Sequence, residues 1–403
     1  MGNSSKKIVI LTNNPFPVGL AATNRILTYC KGFIHHGYFP EVISIKPTEP
    51  YNNPINSSVN GIFNGIKYAY PGGTTIRVAS FWGRRKNDLF AGYAALKLLY
   101  KTIKKGEVKF VIFYGNCISV ELLSILLSKF FKIGIYKEES EHPTIYFRDR
   151  NIFLYALKKW FFINKVYGYY TGVLVMTHPL RNFFLTKNIS NKKILIVPQT
   201  VDLERFEKNN CCLPIQFSNN YIAYIGSLNQ QKDGVLTLVE SFSEVLAKHP
   251  EIKLVIAGDG IQQEKDSLLM LIKQLNLIGN VHYIGRISSD KIPDLFQGAK
   301  LLVSCRPRSN QSDFGFPTKV VEYLASGKPA VTTATGDLSF YLKDRLNAFV
   351  ANMADPKIFA TKILEALQDY DFALKVAENG QKLVREKFNP IIQTEKIIDF
   401  CKN

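Results

Sequence analysis

An α/β fold of two tandem Rossmann-like domains facing a central cleft is predicted by three features of the sequence. Its 403 residues amount to two domains of ordinary size. Short apolar, β-branched runs alternate with segments of helical period, the pattern of parallel sheets with helical crossovers. The alternation is interrupted near the middle by a polar, turn-rich stretch, and a new strand then restarts it.

KKIVILT (6–12) is the first strand, and the polar loop NNPFPVG follows it. In AATNRILTYCKGFIHHG, Ile26, Cys30 and Phe33 recur at helical spacing and Gly37 supplies a stop. EVISI (41–45) completes a β–loop–α–β unit. Apolar runs at 110–114, 133–136, 173–176 and 194–197 extend the sheet, whereas the Asn-, Pro- and Gly-rich residues 46–90 read as an excursion from it. The rhythm fails over 198–220, which places domain 1–200 before a linker at 201–220. The second domain, 221–384, opens with YIAYIG and a helix carrying Leu238, Phe242, Val245 and Leu246. KLVIAG, NVHYIG, AKLLVSC and PAVTT are its further strands. One amphipathic helix, 381–401, closes the chain, and residues 385–403 could return to the first domain. Ligands of doubly wound sheets bind beyond the carboxyl ends of the strands, so the cleft is where ligand is expected.

With 46% hydrophobic and 21% charged residues, the chain can bury sizeable cores and is neither collagenous nor disordered in composition. No apolar run reaches the roughly 18 residues of a membrane span, and the N-terminus lacks the apolar stretch of a signal peptide. Cys30, Cys117, Cys211, Cys212, Cys305 and Cys401 form no CxxC pair or disulfide frame, which suits the cytoplasm. The formal charge of +18 belongs to the first half. Residues 1–200 hold 27 Lys+Arg against 9 Asp+Glu, and residues 201–403 hold 24 of each. One domain is therefore expected to meet a polyanion.

The densest chemistry lies in SCRPRSNQSDFGFPTKVVEYLASGKPAVTT (304–333). Gly315-Phe316-Pro317-Thr318 follows a strand and opens a helix with Val320, Val321 and Leu324 on its apolar side and Gly327 as its stop. Free N–H groups at such a helix start suit phosphate, Gly315 allows close approach, and Glu322 can accept from a ribose diol. An ordinary β-loop-α connection would look alike in isolation. In YIGSLNQQKDG, however, a strand ends at Gly226 and Lys232 precedes a helix, where its charge would offset a diphosphate. In the first domain, KEESEHPTIYF (137–147) gathers Glu138, Glu139, Glu141 and His142 after a strand. Such groups can orient a sugar hydroxyl or take an acceptor proton, or form a solvated acidic loop. Asn24 and Arg25 on the first helical turns are acceptor-side candidates, Arg25 being equally readable as surface. His178 reads as structural. Asp369-Tyr370-Asp371 has the DxD form but falls between C-terminal helices, and no other cluster has ligand spacing, so no metal or other cofactor is expected.

PQTVDLERF, GSLNQQKDG, VIAGDG, NVHYIGR, GFPTKVVEYLASGKPAV and TGDLSFYLKDRLNAFV together resemble the retaining glycosyltransferase family 4, with its GT-B fold. The resemblance covers most of the second half and the first half loosely. GFPTKVVEYLASGKP is similar to the form found in transferases that build surface polysaccharides. The resemblance implies a retaining, metal-independent, hexosyltransferase-like enzyme acting from a nucleotide-sugar on a saccharide or lipid-linked saccharide. It implies that Gly19 lies near the donor phosphates, Gly258 and Arg286 near the nucleobase, and Glu141 and His142 at the transferred sugar. Of the family's two glutamates separated by seven residues, Glu322 matches the second, while Phe314 stands at the first with Asp313 one place early. The arginine that accompanies the diphosphate lysine falls at Ser227, leaving Lys232 as the main charged phosphate ligand. Expected donor contacts are thus Gly19, Ser227, Lys232, Gly258, Arg286, Gly315, Phe316, Pro317, Thr318 and Glu322. Lys232, Glu322, Glu141 and His142 are the expected catalytic groups.

The basic half carries two aromatic-laced surfaces. FRDRNIFLYALKKWFFINKVYGYY (147–170) puts Phe153, Trp160, Ile163 and Tyr167 on one helical face, with Arg148, Lys158, Lys159, Lys165, Phe161 and Phe162 mostly on the other. Lys97, Lys101, Lys104 and Lys105 form a second surface, after Phe81-Trp82-Gly83-Arg84-Arg85-Lys86. Cations interleaved with rings suit anionic headgroups, and no nucleic-acid motif is seen. A peripheral position on the cytoplasmic face of a membrane is expected. Two other functions fit the fold, a nucleotide-sugar epimerase and a catalytically silent sugar-nucleotide or membrane-binding module. Nucleotide release only with acceptor present would exclude the first, and donor binding without turnover would favour the second.

Overall fold

The structure, a computed structural model, describes residues 6–144, 153–207 and 220–402, without the side chains of 153–155, 158, 310 and 311. Arg148, the side chains of Phe153 and Lys158, and residues 208–219 with Cys211 and Cys212 lie outside the described residues. There are two compact units. One ends at Thr200 and resumes at Pro390, and the other runs Val201–Asn389.

The strands of the first unit are β1 (Lys7–Thr12), β2 (Phe39–Ser44), β3 (Asn60–Phe63), β4 (Ile66–Ala69), β5 (Val108–Tyr114), β6 (Gly134–Glu139), β7 (Gly172–Val175) and β8 (Ile194–Ile196). Its helices are α1 (Ala21–His35), α2 (Phe81–Lys104), α3 (Ile118–Phe130), α4 (Phe153–Asn164) and α5 (His178–Thr186). The sheet order is β3-β4-β2-β1-β5-β6-β7-β8, parallel except for the β3–β4 pair. Central β1 is covered on both faces, so Ile8, Val9, Ile10 and Leu11 are all buried and the run shows no polar alternation. Residues 46–90 do not simply leave the sheet. They widen it with the β3–β4 hairpin, whose Asn64-Gly65 turn has positive φ at both residues, and then begin α2.

In α4, Phe162 and Ile163 turn inward while Trp160 and Phe161 face out, which corrects the expected apolar face through Trp160. The helix ends at Asn164 and a 3₁₀ turn, Val166–Tyr169, follows, so helical spacing does not carry through to the buried Tyr167.

The second unit contains α6 (Glu204–Glu207), β9 (Tyr221–Ser227), α7 (Gln230–Asp233), α8 (Val235–Leu246), β10 (Lys253–Asp259), α9 (Gln262–Gln274), β11 (Val281–Gly285) and α10 (Ile292–Gly298). It continues with β12 (Leu301–Ser304), α11 (Asn310–Phe314), α12 (Thr318–Ala325), β13 (Ala330–Thr333), α13 (Leu338–Tyr341), β14 (Phe349–Ala351), α14 (Pro356–Gln368) and α15 (Tyr370–Lys387). The parallel order is β11-β10-β9-β12-β13-β14. Leu238, Phe242 and Val245 of α8 bury against Ile222, Leu254 and Ile256 of the sheet.

The single C-terminal helix expected at 381–401 is two helices. Pro390, lacking an N–H and fixed in φ, opens α16 (Pro390–Lys402) after α15 has ended. α16 belongs to the first unit, beside α1, with a 2.9 Å hydrogen bond between His36 Nε2 and Ile391 O. The helices approach so closely that a Cβ on Gly32 would stand 2.2 Å from Thr394 Oγ1 and 2.6 Å from Pro390 O. Gly32→Ala should therefore lower stability by about 1–3 kcal/mol, read as a fall in the urea midpoint. An unchanged midpoint would mean that the two helices part without cost.

Candidate functional site

In the second sheet, strand order reverses between β9 and β12, with β10 and β11 on one side and β13 and β14 on the other. This topology opens a crevice beyond the carboxyl ends at the reversal. Its floor is bare backbone. Gly258, next to last in β10, lies opposite Gly226 of β9, and a Cβ there would fall 1.8 Å from Gly226 O. Gly234, at φ 68°, closes the β9 loop so tightly on Cys305 O that a side chain would collide.

Lys232 stands exposed on the one-turn α7, whose cap is Asn229. Asn229 Oδ1 accepts from the Lys232 N–H at 2.8 Å. Lys319, in the first turn of α12, extends beneath the same loop. Its Nζ donates to Asp233 Oδ1 at 2.7 Å and Tyr224 OH at 3.1 Å, and lies 4.6 Å from the Tyr224 ring centroid. Burial lowers the Lys319 pKa, Asp233 opposes this, and Arg306 and Lys232 lower it further. Lys232 and Arg306 thus lie within electrostatic reach of Lys319 and Asp233. Glu322, one turn along α12, has Oε1 3.4 Å from Arg205 Nη1, and Arg205 Nη2 donates to Ser289 O at 2.9 Å. Burial raises the Glu322 pKa above the ordinary carboxyl range, against the pull of Arg205.

Not every expected donor contact presents its side chain there. Gly315 and Thr318 lead into α12, but Phe316 turns into the core against Tyr341 and Phe388, at centroid distances of 6.0 and 5.7 Å. Pro317 is buried as the α12 cap, so these two could meet a ligand only through backbone. Ser227 Oγ accepts from Asn229 N at 3.1 Å and shapes the loop. Arg286 is exposed after β11, with β10 between it and β9. Asp369 Oδ1 accepts from Phe372 N at 2.9 Å as the cap of α15, a structural use of the DxD stretch.

In the first unit the order reverses between β1 and β5. Gly19 lies in the β1–α1 loop, where a Cβ would meet Thr23 Oγ1 at 2.1 Å, and Asn24 is half-buried on α1. Arg25 is corrected. It is wholly buried rather than acceptor-facing, donating from Nε to Glu138 Oε1 at 2.7 Å, from Nη1 to Pro198 O at 2.9 Å and from Nη2 to Val197 O at 2.6 Å. The acidic-loop reading of KEESEH also fails in part, because Lys137, Glu138 and Glu139 are buried in β6. Lys137 Nζ donates to Glu121 Oε1 at 2.6 Å and lies 3.5 Å from Glu139 Oε1. Glu141 and His142 emerge beyond the strand, Glu141 exposed and His142 half-buried. His142 Nδ1 is 2.6 Å from Thr144 Oγ1, and its ring meets Phe183 edge-on at 4.4 Å. Burial, then Lys159 and Lys187, lower its pKa, so the imidazole is neutral at pH 7. β5 stands between the strand leading to Glu141 and His142 and the one leading to Gly19.

Sequence reasoning missed Lys319, Arg306 and Arg205. For Lys319 a signal existed, since a lysine in a first helical turn opposes the helix dipole and needs another reason to be there.

Two doubly wound parallel sheets in tandem, with a cation-lined crevice at the switch point of the second, have the architecture of the GT-B glycosyltransferases. Residues 213–383 match the family model "Glycosyl transferases group 1", which falls on the second unit. The chain is 29% identical over 175 residues to an uncharacterized glycosyltransferase of Methanocaldococcus jannaschii, covering 43% of each chain. It is 22% identical over 241 residues to the capsular polysaccharide biosynthesis glycosyltransferase CapM of Staphylococcus aureus, covering 56% of this chain and 60% of that one. The matches thus span about half the length of these relatives. The crystal structure of Anabaena HepE in complex with UDP and glucose superposes with a TM-score of 0.68 at 14% identity, covering 98% of this chain and 99% of that one.

Two outcomes follow from this geometry. Arg25→Met should cost about 3–5 kcal/mol by leaving Glu138 buried without its cation, and adding Glu138→Leu should recover most of it. Denaturant unfolding of both variants checks this, and equal losses would refute the pairing. Glu322 binds its proton more tightly in the folded chain than in the unfolded one. Its contribution to stability is therefore full at low pH and is lost as pH rises through the raised pKa. As pH rises above the ordinary glutamate value of about 4, the stability difference should shift in favour of Glu322→Gln, and a pH-independent difference would contradict the burial effect.

Proposed function

We propose that the chain is a glycosyltransferase that moves a sugar from a nucleotide-sugar to a saccharide or lipid-linked saccharide acceptor. Transfer keeps the anomeric configuration, needs no metal, and serves surface-polysaccharide or glycoconjugate synthesis. The observation that carries this reading is the gathering of Lys232, Lys319 and Arg306 at the switch point of the second sheet, over a floor of glycine backbone. Charge develops on the diphosphate as the glycosidic bond to the donor breaks, and fixed cations and N–H groups in a water-poor crevice stabilise it. Glu322, one helical turn further on and 3.4 Å from Arg205, would accept from a ribose diol. The family match, the bound UDP and glucose of HepE and the pathway of CapM support the donor class and the kind of product. The first unit takes the acceptor side, with neutral His142 and Glu141 as the groups available to a sugar hydroxyl. Its positive charge faces an anionic membrane rather than nucleic acid.

Thermal-shift screening with UDP-, GDP- and dTDP-sugars tests the donor reading, because a ligand of the folded state raises apparent stability. One nucleotide class should raise Tm, and Lys232→Ala and Lys319→Met should each weaken its binding roughly 10- to 100-fold. Nucleotide release should require a saccharide acceptor and persist in EDTA. No shift with any nucleotide, or parental affinity in both variants, would overturn the proposal.

A further inference from the structure

Two neighbouring helices of the first unit turn their large apolar side chains outward. α2 packs inward through Ala91, Ala95, Leu99 and Ile103. Its other face presents Phe81, Trp82, Leu89, Phe90 and Tyr93, with Trp82 78% exposed. Trp82, Leu89, Tyr93, Lys97, Tyr100 and Lys104 recur at steps of three, four or seven, so one stripe passes from aromatic to basic along the helix. Lys101 extends its basic end, and Arg85 and Lys86 flank its aromatic end beside Asp88. α3 lies alongside. A Cβ on Gly92 would meet Val120 Cγ2 at 2.8 Å, and the Tyr100 and Phe131 rings are 5.8 Å apart. α3 adds Leu123, Leu126 and Phe130 to the outer surface, Phe130 being 80% exposed. Large apolar side chains at successive turns of two adjacent helices exceed what a solvated surface needs.

We propose that this outer α2–α3 face docks on an anionic lipid bilayer, with the aromatic end entering the interface and the lysine end lying over headgroup phosphates. This rests on the membrane part of the reading above and names the surface that carries it. Charge complementarity selects the occupant. An interface between two copies excludes charge from its core, and a twofold contact here would bring the same lysine stripe against itself. A surface of phosphates accepts both the lysines and the rings.

The two tryptophans of the chain, Trp82 and Trp160, make the surface directly testable in the full-length protein. Trp160→Phe leaves Trp82 as the reporter, and Trp82→Phe leaves Trp160. With phosphatidylcholine–phosphatidylglycerol vesicles, Trp82 emission should shift to shorter wavelength and lose access to acrylamide, while pure phosphatidylcholine should leave it unchanged. Trp160, on α4, should not respond. Lys97→Glu, Lys101→Glu and Lys104→Glu together should lower co-sedimentation with the anionic vesicles at least tenfold. The nucleotide-induced Tm shift should remain. If the unsubstituted chain ignores anionic vesicles, the membrane reading itself falls. If it binds while Trp82 stays unshifted, that reading stands and the α2–α3 surface is wrong. A Trp82 shift that follows protein concentration without lipid would identify a second copy as the occupant and overturn the proposal.

Discussion

Arg25 has no exposed surface, and each of its three nitrogens is engaged. Through Glu138 it ties α1 to β6, and through the carbonyls of Val197 and Pro198 it ties α1 to the chain leaving β8. Thr28 adds a 2.6 Å contact to Thr200. The guanidinium keeps its charge despite burial because Glu138 lies against it. On the other side of β6, Lys137 donates to Gly115 O and to Glu121, and Tyr170 donates to the same Glu121 oxygen at 2.7 Å. The chain segments beyond β5, β6 and β8 are thus held by buried ions. A buried ion pair stabilises little relative to an apolar substitute, but its geometry is directional. What it supplies is fixed loop position at the carboxyl end of the sheet.

The second unit handles charge differently at the equivalent end of its sheet. There Arg306 and Lys232 lower the Lys319 pKa, while Asp233 opposes them and holds Lys319 in place. A site whose own carboxylates already neutralised it would gain nothing from an incoming anion. On the reading proposed above, the cations around Lys319, offset only in part by Asp233, would meet a diphosphate. The same kind of sheet thus carries buried, closely paired ions in one unit and a looser cluster of cations around Lys319 and Asp233 in the other.

The strands were legible where burial is two-sided, as in β1, β5, β9 and β10, since such runs lose all polar alternation. β3, β4 and β14 were not, because three or four residues at or near a sheet edge carry too short a period. The loops around Lys232 and Gly315 were legible from glycine placement and helix starts. The charged residues of β6 were not. Lys137-Glu138-Glu139 reads as a solvated cluster until Arg25 and Glu121, 113 and 16 residues away, are brought against it by the fold. Lys319 was overlooked for the converse reason. Its neighbours Asp233 and Tyr224 are remote in sequence, so only the packed loop reveals its direction.

Burial also changes what the charge asymmetry means. Of the nine acidic residues in the first half, Glu41, Glu49, Glu121, Glu138 and Glu139 are buried, whereas among its described cations only Arg25 and Lys137 are. The interior thus withdraws more negative than positive charge, and the surface of the first unit is more basic than the sequence count implies. Self-repulsion of such a surface destabilises the compact state unless an anionic partner screens it. The second half balances its charges and brings Lys232 and Arg306 within electrostatic reach of Lys319 and Asp233. Positive charge is therefore distributed differently in the two units. It is clustered around Lys319 at the end of the second sheet, and spread over the exposed outer surface of the first.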